Sequence, residues 1–434
     1  MKRNAETGCL ATRAASLLIA FAASTCIAGE RGVELTGRIL DAAGRPLPGA
    51  TVAIYTAQPR VGIGSVCPSC YPECRKSRVT DTRGRFAIPG LNDQLLYRLL
   101  VVADGFVPEF VDRVDPKAGR IEPKMKRRPA TPDSGLRTLV GHVVDPHGQP
   151  VAGASVTPRG IHVGDRTSFG SPLVWGPRVD PLAISHANGE FRLTGPDSIE
   201  TWVLLVVARG LSSRVFANVK AGDPAPLLKL ETGATVTGLV TREARPVSGA
   251  GIGIAQEDRS AFNYVPEDTI AADENGRFTF SNVPANQDYS FSGVIESLKP
   301  WALRTVIRTV GENDSTTRLP DLELERGFSL SGRVLLSDGQ SVPDGTELIL
   351  SRERSMSYVQ LPMDADGRFR MEGIPPETIV LHLRMKGYRI RPDTPGYLGR
   401  SMGGVRLAML RDRDDVEIVL EPTPEAAVAR PPRP

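Results

Sequence analysis

The chain repeats one pattern four times, and that repetition decides what it can fold into. Each copy opens on a strand-like run with a glycine in it: Thr36-Gly37-Arg38-Ile39-Leu40-Asp41, Val140-Gly141-His142-Val143-Val144-Asp145, Thr237-Gly238-Leu239-Val240-Thr241 and Ser331-Gly332-Arg333-Val334-Leu335. A turn follows, holding Gly44-Arg45-Pro46, Gly148-Gln149-Pro150, Arg245-Pro246 or Gly339-Gln340. Small residues then lead into a second strand: Gly49-Ala50-Thr51-Val52, Gly153-Ala154-Ser155-Val156, Gly249-Ala250-Gly251-Ile252 and Gly345-Thr346-Glu347-Leu348. Next comes a polar turn before an aromatic strand, at Asp81 to Phe86, His186 to Phe191, Asp273 to Phe278 and Asp364 to Phe369. Short apolar-acidic strands close the copies at Arg120-Ile121-Glu122, Leu228 to Glu231, Leu322 to Glu325 and Ile418 to Glu421.

Within these runs the apolar period is two. Val33, Leu35, Gly37 and Ile39 share a face, as do Phe328, Leu330, Gly332 and Val334, and the pairs Phe86/Ile88, Phe191/Leu193, Phe278/Phe280 and Phe369/Met371. Alternation bounded by Gly, Asp and Asn turns predicts half-buried antiparallel strands. The inward glycine suggests close approach of another backbone rather than side-chain packing. With 40% hydrophobic residues, 43 glycines and 36 prolines, the chain favours many short strands over long helices. The expected fold is all-β: four tandem antiparallel two-sheet sandwiches in an extended array.

The same residues carry a family resemblance. A glycine strand, Gly-x-Pro-Leu-x-Gly-Ala-x-Val, Asp-x-x-Gly-x-Phe, then Tyr-x-Leu-x-Val-x-Ala-x-Gly-Phe resembles the carboxypeptidase regulatory-like domain. The first copy matches most fully, with Gly44 to Ala50 and Tyr97 through Val101 to Gly105-Phe106. The second has Trp202 in place of Tyr97, the fourth has Asp344-Gly345-Thr346 for the Gly-Ala pair, and the third loses the pattern after Gly293. The resemblance implies a prealbumin-like, seven-stranded sandwich, similar to starch-binding and other carbohydrate-binding-like folds. In metallocarboxypeptidases such a module accompanies the catalytic domain and does no chemistry.

Expected boundaries follow from the copies: a signal peptide at 1–28, sandwiches at 33–128, 136–231, 233–325 and 327–422, and a disordered Pro/Ala-rich tail at 423–434. The basic Lys2, Arg3 and Arg13, the apolar run Ala14 to Ala23 and the small residue Ala28 before Gly29 form a secretory signal. A lipid anchor at Cys26 is the rival reading, but the segment before it lacks the usual Leu and has Thr25 where Gly or Ala belongs. Export places the mature chain in the periplasm, on the cell surface or in the medium. No later segment is long and apolar enough for a membrane helix. The signal supplies two of the three net positive charges, which leaves no basic field for nucleic acid.

Cys67, Cys70 and Cys74, in a long insertion of the first copy, are the thiols left after the signal. One disulfide among them, clamping a loop and leaving the third thiol free or joined to another molecule, is the preferred reading. A metal site of three thiolates lacks an evident fourth ligand, and a redox Cys-x-x-Cys lacks its βαβ setting. Asp364 to Gly367 resembles the start of a calcium loop but continues as a strand, so it reads as a hairpin turn with glycine at positive φ. No zinc-peptidase, nucleophile-elbow or nucleotide-binding motif is present, and His142, His147, His162, His186 and His382 form no centre. No catalytic residue and no cofactor is assigned. His382 alternates with Ile379, Leu381 and Leu383 and is expected to face solvent.

Ligand binding is the remaining chemistry. The second copy has an insertion from Pro158 to Ser185 that includes His162, Phe169 and Trp175. Trp175, with Tyr71 of the first copy, is the candidate for stacking on a sugar or anchoring a protein. Trp202 is read as core, and Trp301 fits either role. The expected function is an exported, non-catalytic scaffold or interaction protein whose partner is a protein or glycan at the cell envelope. The alternatives are carbohydrate binding through the loops of copies one and two, and metal or redox work at the cysteine cluster.

Overall fold

The computed structural model describes residues 32–423 apart from 61–72, 74–75, 130–134, 171–174, 176–177, 223, 261–267, 344–345, 347, 354–357, 384, 386 and 400–403. The segment expected to be a signal peptide, Cys26, Cys67, Cys70, Tyr71, Cys74 and the residues beyond Thr423 lie outside those residues. Each copy folds into two facing sheets. In the first sheet the opening strand is central. Val33–Arg38 pairs with Arg85–Leu91, and Leu136–Val144 lies between Glu190–Pro196 and Leu227–Lys229. Ala234–Arg242 pairs with Arg277–Val283 on one side and Thr316–Arg318, then Leu322–Glu323, on the other. Phe328–Leu336 lies between Arg368–Ile374 and Arg413–Pro422.

The second sheet keeps one order along its main path, with Ala183–Ile184 as a fifth strand beside Ser155–Val163 in the second copy. It runs Ser77–Val79, Thr51–Pro59, Leu95–Val102, Glu109–Val114 in the first copy, and Arg166–Phe169, Ser155–Val163, Thr201–Val207, Arg214–Val219 in the second. In the third it is Asp268–Ala271, Gly251–Gln256, Asp288–Gly293, Val306–Thr309, and in the fourth Tyr358–Leu361, Leu348–Arg352, Thr378–Leu383, Gly404–Ala408. Between the sheets of each copy lies its own apolar cluster, centred on residues such as Phe86 and Leu99, Phe191 and Leu204, Phe278 and Phe291, or Phe369 and Leu381. Burying each large apolar side chain contributes roughly 1.5–3 kcal/mol, which offsets the cost of ordering the strands. Trp202 and Tyr97 are both buried, as expected of equivalent core positions.

Three expectations need correction. The sandwiches are not purely antiparallel, because each closing strand runs parallel to its opening strand. Leu40–Asp41 pairs this way with Lys124–Met125, and Leu228 lies beside Val143, Leu322 beside Val240 and Ile418 beside Val334. Alternation has the same period in either direction, so it carries no sign of this.

The inward glycines have a second cause beside the expected close backbone, which lies 2.8 Å from a would-be Cβ at Gly37 (Ile121 O) and 3.0 Å at Gly141 (Pro226 O). Gly37, Gly141, Gly238 and Gly332 stand directly across from Phe86, Phe191, Phe278 and Phe369. A Cβ on Gly238 would come within 2.2 Å of the Phe278 ring, and one on Gly37 within 2.4 Å of the Phe86 ring. The glycine leaves room for its cross-strand aromatic partner. A backbone carbonyl is the first obstacle only at Gly332, where Val416 O would lie 2.0 Å from the Cβ.

His382, third, does not face open solvent. It is half-buried on the outer side of its sheet, with Nε2 2.8 Å from Ser351 Oγ. The acidic turns behave as expected. Asp81 Oδ1 accepts the backbone N–H groups of Arg83 and Arg85, each at 2.8 Å, and Asp364 Oδ1 accepts those of Asp366 and Arg368 at 3.0 and 2.8 Å. The glycines that follow adopt positive φ, 72° at Gly84 and 74° at Gly367.

Candidate functional site

The first two copies meet at a cleft of about 310 Å3 lined by Asp104, Phe106, Arg128, Ser185, His186 and Arg192, among others. Arg128 starts the Pro-rich connection. Its backbone N–H donates to Gly105 O of the first copy at 2.9 Å. Its guanidinium crosses to the second copy, 2.9 Å from Asp180 Oδ2 and 2.7 Å from Thr194 Oγ1. Asp180 Oδ2 also accepts the Thr194 N–H at 2.7 Å. Burial pushes the Asp180 carboxyl above its ordinary pKa, while Arg128 and the Thr194 N–H act in the opposite direction. At the mouth of the cleft His186 Nδ1 lies 3.2 Å from Asp104 Oδ2, a carboxylate that is 75% exposed. Arg192 is paired within its own copy to Glu190 Oε1 at 2.7 Å.

A serine, a histidine and an aspartate thus line one cavity, which raises the question of a nucleophile. Ser185 answers it through its bonds. Its Oγ donates to Val151 O at 2.7 Å and accepts the Ala154 N–H at 2.9 Å. Thr80 of the first copy makes the same two bonds, to Leu47 O at 2.7 Å and from the Ala50 N–H at 2.9 Å, with no histidine after it. The hydroxyl at this position fastens the turn to the second strand, and His186 bonds Asp104 rather than that hydroxyl. Sequence reading did not single out this cleft. The available signal was His186 itself, which replaces the turn aspartate of the other copies.

The part of the second-copy insertion that is described continues the sheet. Pro158 lies inside the strand Ser155–Val163, which turns back as Arg166–Phe169. Trp175 is half-buried, packs against the second core, and donates its indole N–H to Ser168 Oγ at 2.9 Å. It is not among the residues that line the cleft. Trp301 follows the short helix Ile295–Leu298 and the Lys299-Pro300 bond. It is half-buried with the Arg242 guanidinium 5.0 Å from its ring centre.

Around the first copy's insertion, Arg60 donates to both carboxylate oxygens of Asp115 at 2.6 Å, and Lys76 Nζ donates to Gly90 O at 2.8 Å. The Arg60 hydrogen bonds hold the Asp115 carboxyl down to about 2. Among the described residues no group of His, Cys, Asp and Glu could hold a metal ion, and no helix is long and apolar enough to cross a membrane.

Two facing sheets per copy, with a parallel closing strand and a glycine–phenylalanine cross-strand pair, define a β-sandwich repeat protein. Residues 34–123, which make up the first copy, match the family model of the carboxypeptidase regulatory-like domain. No curated protein matches the chain. Among solved structures it is similar to a streptococcal ancillary pilin at 13% identity, covering 67% of this chain and 99% of that one with a TM-score of 0.23. It is similar also to the minor pilin of Streptococcus agalactiae (12%, covering 46% and 99%, TM-score 0.23) and the major pilin subunit of Bacillus cereus (11%, covering 67% and 99%, TM-score 0.18). Superpositions at these scores assign no role.

Proposed function

We propose that the chain is an exported scaffold or interaction protein of the cell envelope, built from carboxypeptidase-regulatory-like modules and without catalysis of its own. The observation that carries this reading is the use of Ser185: the hydroxyl nearest an acid–base pair is spent on backbone, as Thr80 is where no such pair exists. The cleft's remaining charged groups are held in pairs that join or brace copies. Arg128 binds Asp180, His186 binds Asp104, and Arg192 binds Glu190. Such pairing suits a joint more than a reaction centre. The partner is then a protein or glycan that meets the outer surface of the array.

Two measurements test this. A fluorophosphonate probe, which labels activated serines, should leave Ser185 unmodified; labelling there overturns the non-catalytic reading. A glycan array probed with the exported chain and with Trp175→Ala should show no difference between them. Retention of a polysaccharide that Trp175→Ala abolishes would replace the scaffold with a glycan-binding protein.

A further inference from the structure

The junction of the third and fourth copies is built unlike the cleft between the first two. Arg352 ends the strand Leu348–Arg352 in the same register as Leu348 and Leu350, which point into the fourth core. Its side chain is fully buried. The guanidinium donates from Nε to Glu377 of its own copy. From Nη1 it donates to Gly293 O at 2.8 Å, and from Nη2 to Leu303 O at 3.0 Å and Thr305 Oγ1 at 2.9 Å, all in the third copy. Glu377 Oε2 in turn accepts the Thr305 hydroxyl at 2.9 Å and the Thr305 N–H at 3.2 Å. One planar fork therefore serves acceptors from both copies, a task the single ammonium of lysine cannot perform.

Apolar and backbone contacts lie around it. Ile295, from the short helix of the third copy, belongs to the core cluster of the fourth. The strand Trp301–Ala302 pairs with Glu325–Arg326, the segment that connects the copies. Gly373 of the fourth copy, at φ 78°, approaches the third so closely that a Cβ would meet Lys299 Cγ at 3.1 Å and Trp301 O at 3.2 Å. If the third copy opened, the apolar surface under Ile295 would be exposed to water, and Arg352 and Glu377 would lose their fixed partners. The sequence between Gly293 and Thr305, where the third copy loses the repeat pattern, is the stretch that supplies these contacts.

We infer that the third and fourth copies form one cooperative body, coupled by Arg352, rather than two independently folding modules. Hydrogen exchange on the full chain tests this, read at the slowest amides, which report complete opening of their unit. The perturbation is Phe291→Leu, which thins the third core at a fully buried position within the third copy's own cluster. Exchange should speed by about tenfold or more in the third copy, on the scale of large-to-small core substitutions. The same factor should appear at Ile379–Leu383 of the fourth copy, with the first and second unchanged. Acceleration confined to the third copy overturns the inference, and so does acceleration across all four. In the background of Arg352→Met the fourth copy should respond less to Phe291→Leu. An undiminished response would remove Arg352 as the coupling residue. Should Arg352→Met fail to fold, Thr305→Val, which deletes only the hydroxyl shared with Arg352 and Glu377, takes its place with the same readout.

Discussion

Replacing Gly238 by alanine tests why the glycine recurs. Its backbone is not in the left-handed region, so by conformational entropy alone alanine should stabilise the strand by about 0.5–1 kcal/mol. Space decides otherwise. The new Cβ would lie 2.2, 2.6 and 3.1 Å from three atoms of the Phe278 ring, so the ring must retreat by about 1 Å to regain ordinary contact. Phe278 is buried and packs edge-on against Phe280 with ring centres 6.0 Å apart, which leaves little room to move. A 2.2 Å approach to a confined ring takes the upper half of the overpacking range, about 2–3 kcal/mol, for a net loss of about 1–2 kcal/mol after an entropic gain of about 1 kcal/mol. Gly253, in the same copy, is the control. Nothing lies nearer than 3.6 Å to its would-be Cβ, so Gly253→Ala should be neutral or mildly stabilising.

Hydrogen exchange at Arg277–Val283 reads the difference as roughly a 5- to 30-fold faster opening in Gly238→Ala and no acceleration in Gly253→Ala. Adding Phe278→Leu should return about 1 kcal/mol to Gly238→Ala, since the smaller side chain removes the obstacle. If Gly238→Ala behaves like Gly253→Ala, or Phe278→Leu adds its full cost on top, the ring is not the reason for the glycine.

Other outcomes follow from the side chains already described. Arg128→Ala removes the charged partner of the Asp180 carboxylate, leaves it to Thr194, and should destabilise the second copy by about 2 kcal/mol, below the range for a fully buried pair because Arg128 keeps part of its side chain in water. Burial raises the folded-state pKa of Asp180, so the native chain loses some stability as pH rises above the ordinary carboxyl value; Arg128 opposes that shift, so without it the loss is larger and the deficit in urea midpoint should grow from acid toward neutral pH. Asp115 has the opposite sign: its pKa is lowered to about 2, so its contribution is complete above the ordinary value and is lost as pH falls toward 2. Carbon-detected NMR titration should place its midpoint near 2 in the native chain and move it up toward the ordinary value in Arg60→Ala, where the Lys117 N–H still bonds the carboxylate. Tyr289→Phe removes a hydroxyl that donates to Pro284 O at 3.0 Å and should cost about 1 kcal/mol. Burial also pushes that hydroxyl's pKa up, so an alkaline ultraviolet titration should show its phenolate only when the third copy unfolds.

The sequence carried the sheets well and the joints poorly, for a physical reason. Alternation reports which face is wet, so Phe86/Ile88 and Phe278/Phe280 were placed on the inward side from period alone. Partner identity leaves no such trace: that Gly37 sits opposite Phe86, or that Leu322 runs parallel to Val240, depends on register between segments far apart in the chain. Arg128, in a Pro-rich connection, gave no sign of reaching Asp180. Arg352 did give one, since an arginine in register with Leu348 and Leu350 breaks the core pattern and calls for a buried partner. Trp175, the candidate for stacking on a sugar or anchoring a protein, has its indole N–H on Ser168 and packs against the core.

The parallel closing strand bears on how tension would travel through such a chain. Because the first and last strands of a copy lie side by side and point the same way, pulling on its two ends slides them along one another, so that their shared backbone bonds are loaded together. An antiparallel terminal pair would instead be peeled open one bond at a time. Ten-residue Arg413–Pro422, matched along Phe328–Leu336 from Leu330 to Leu336, should make the last copy the hardest to pull apart.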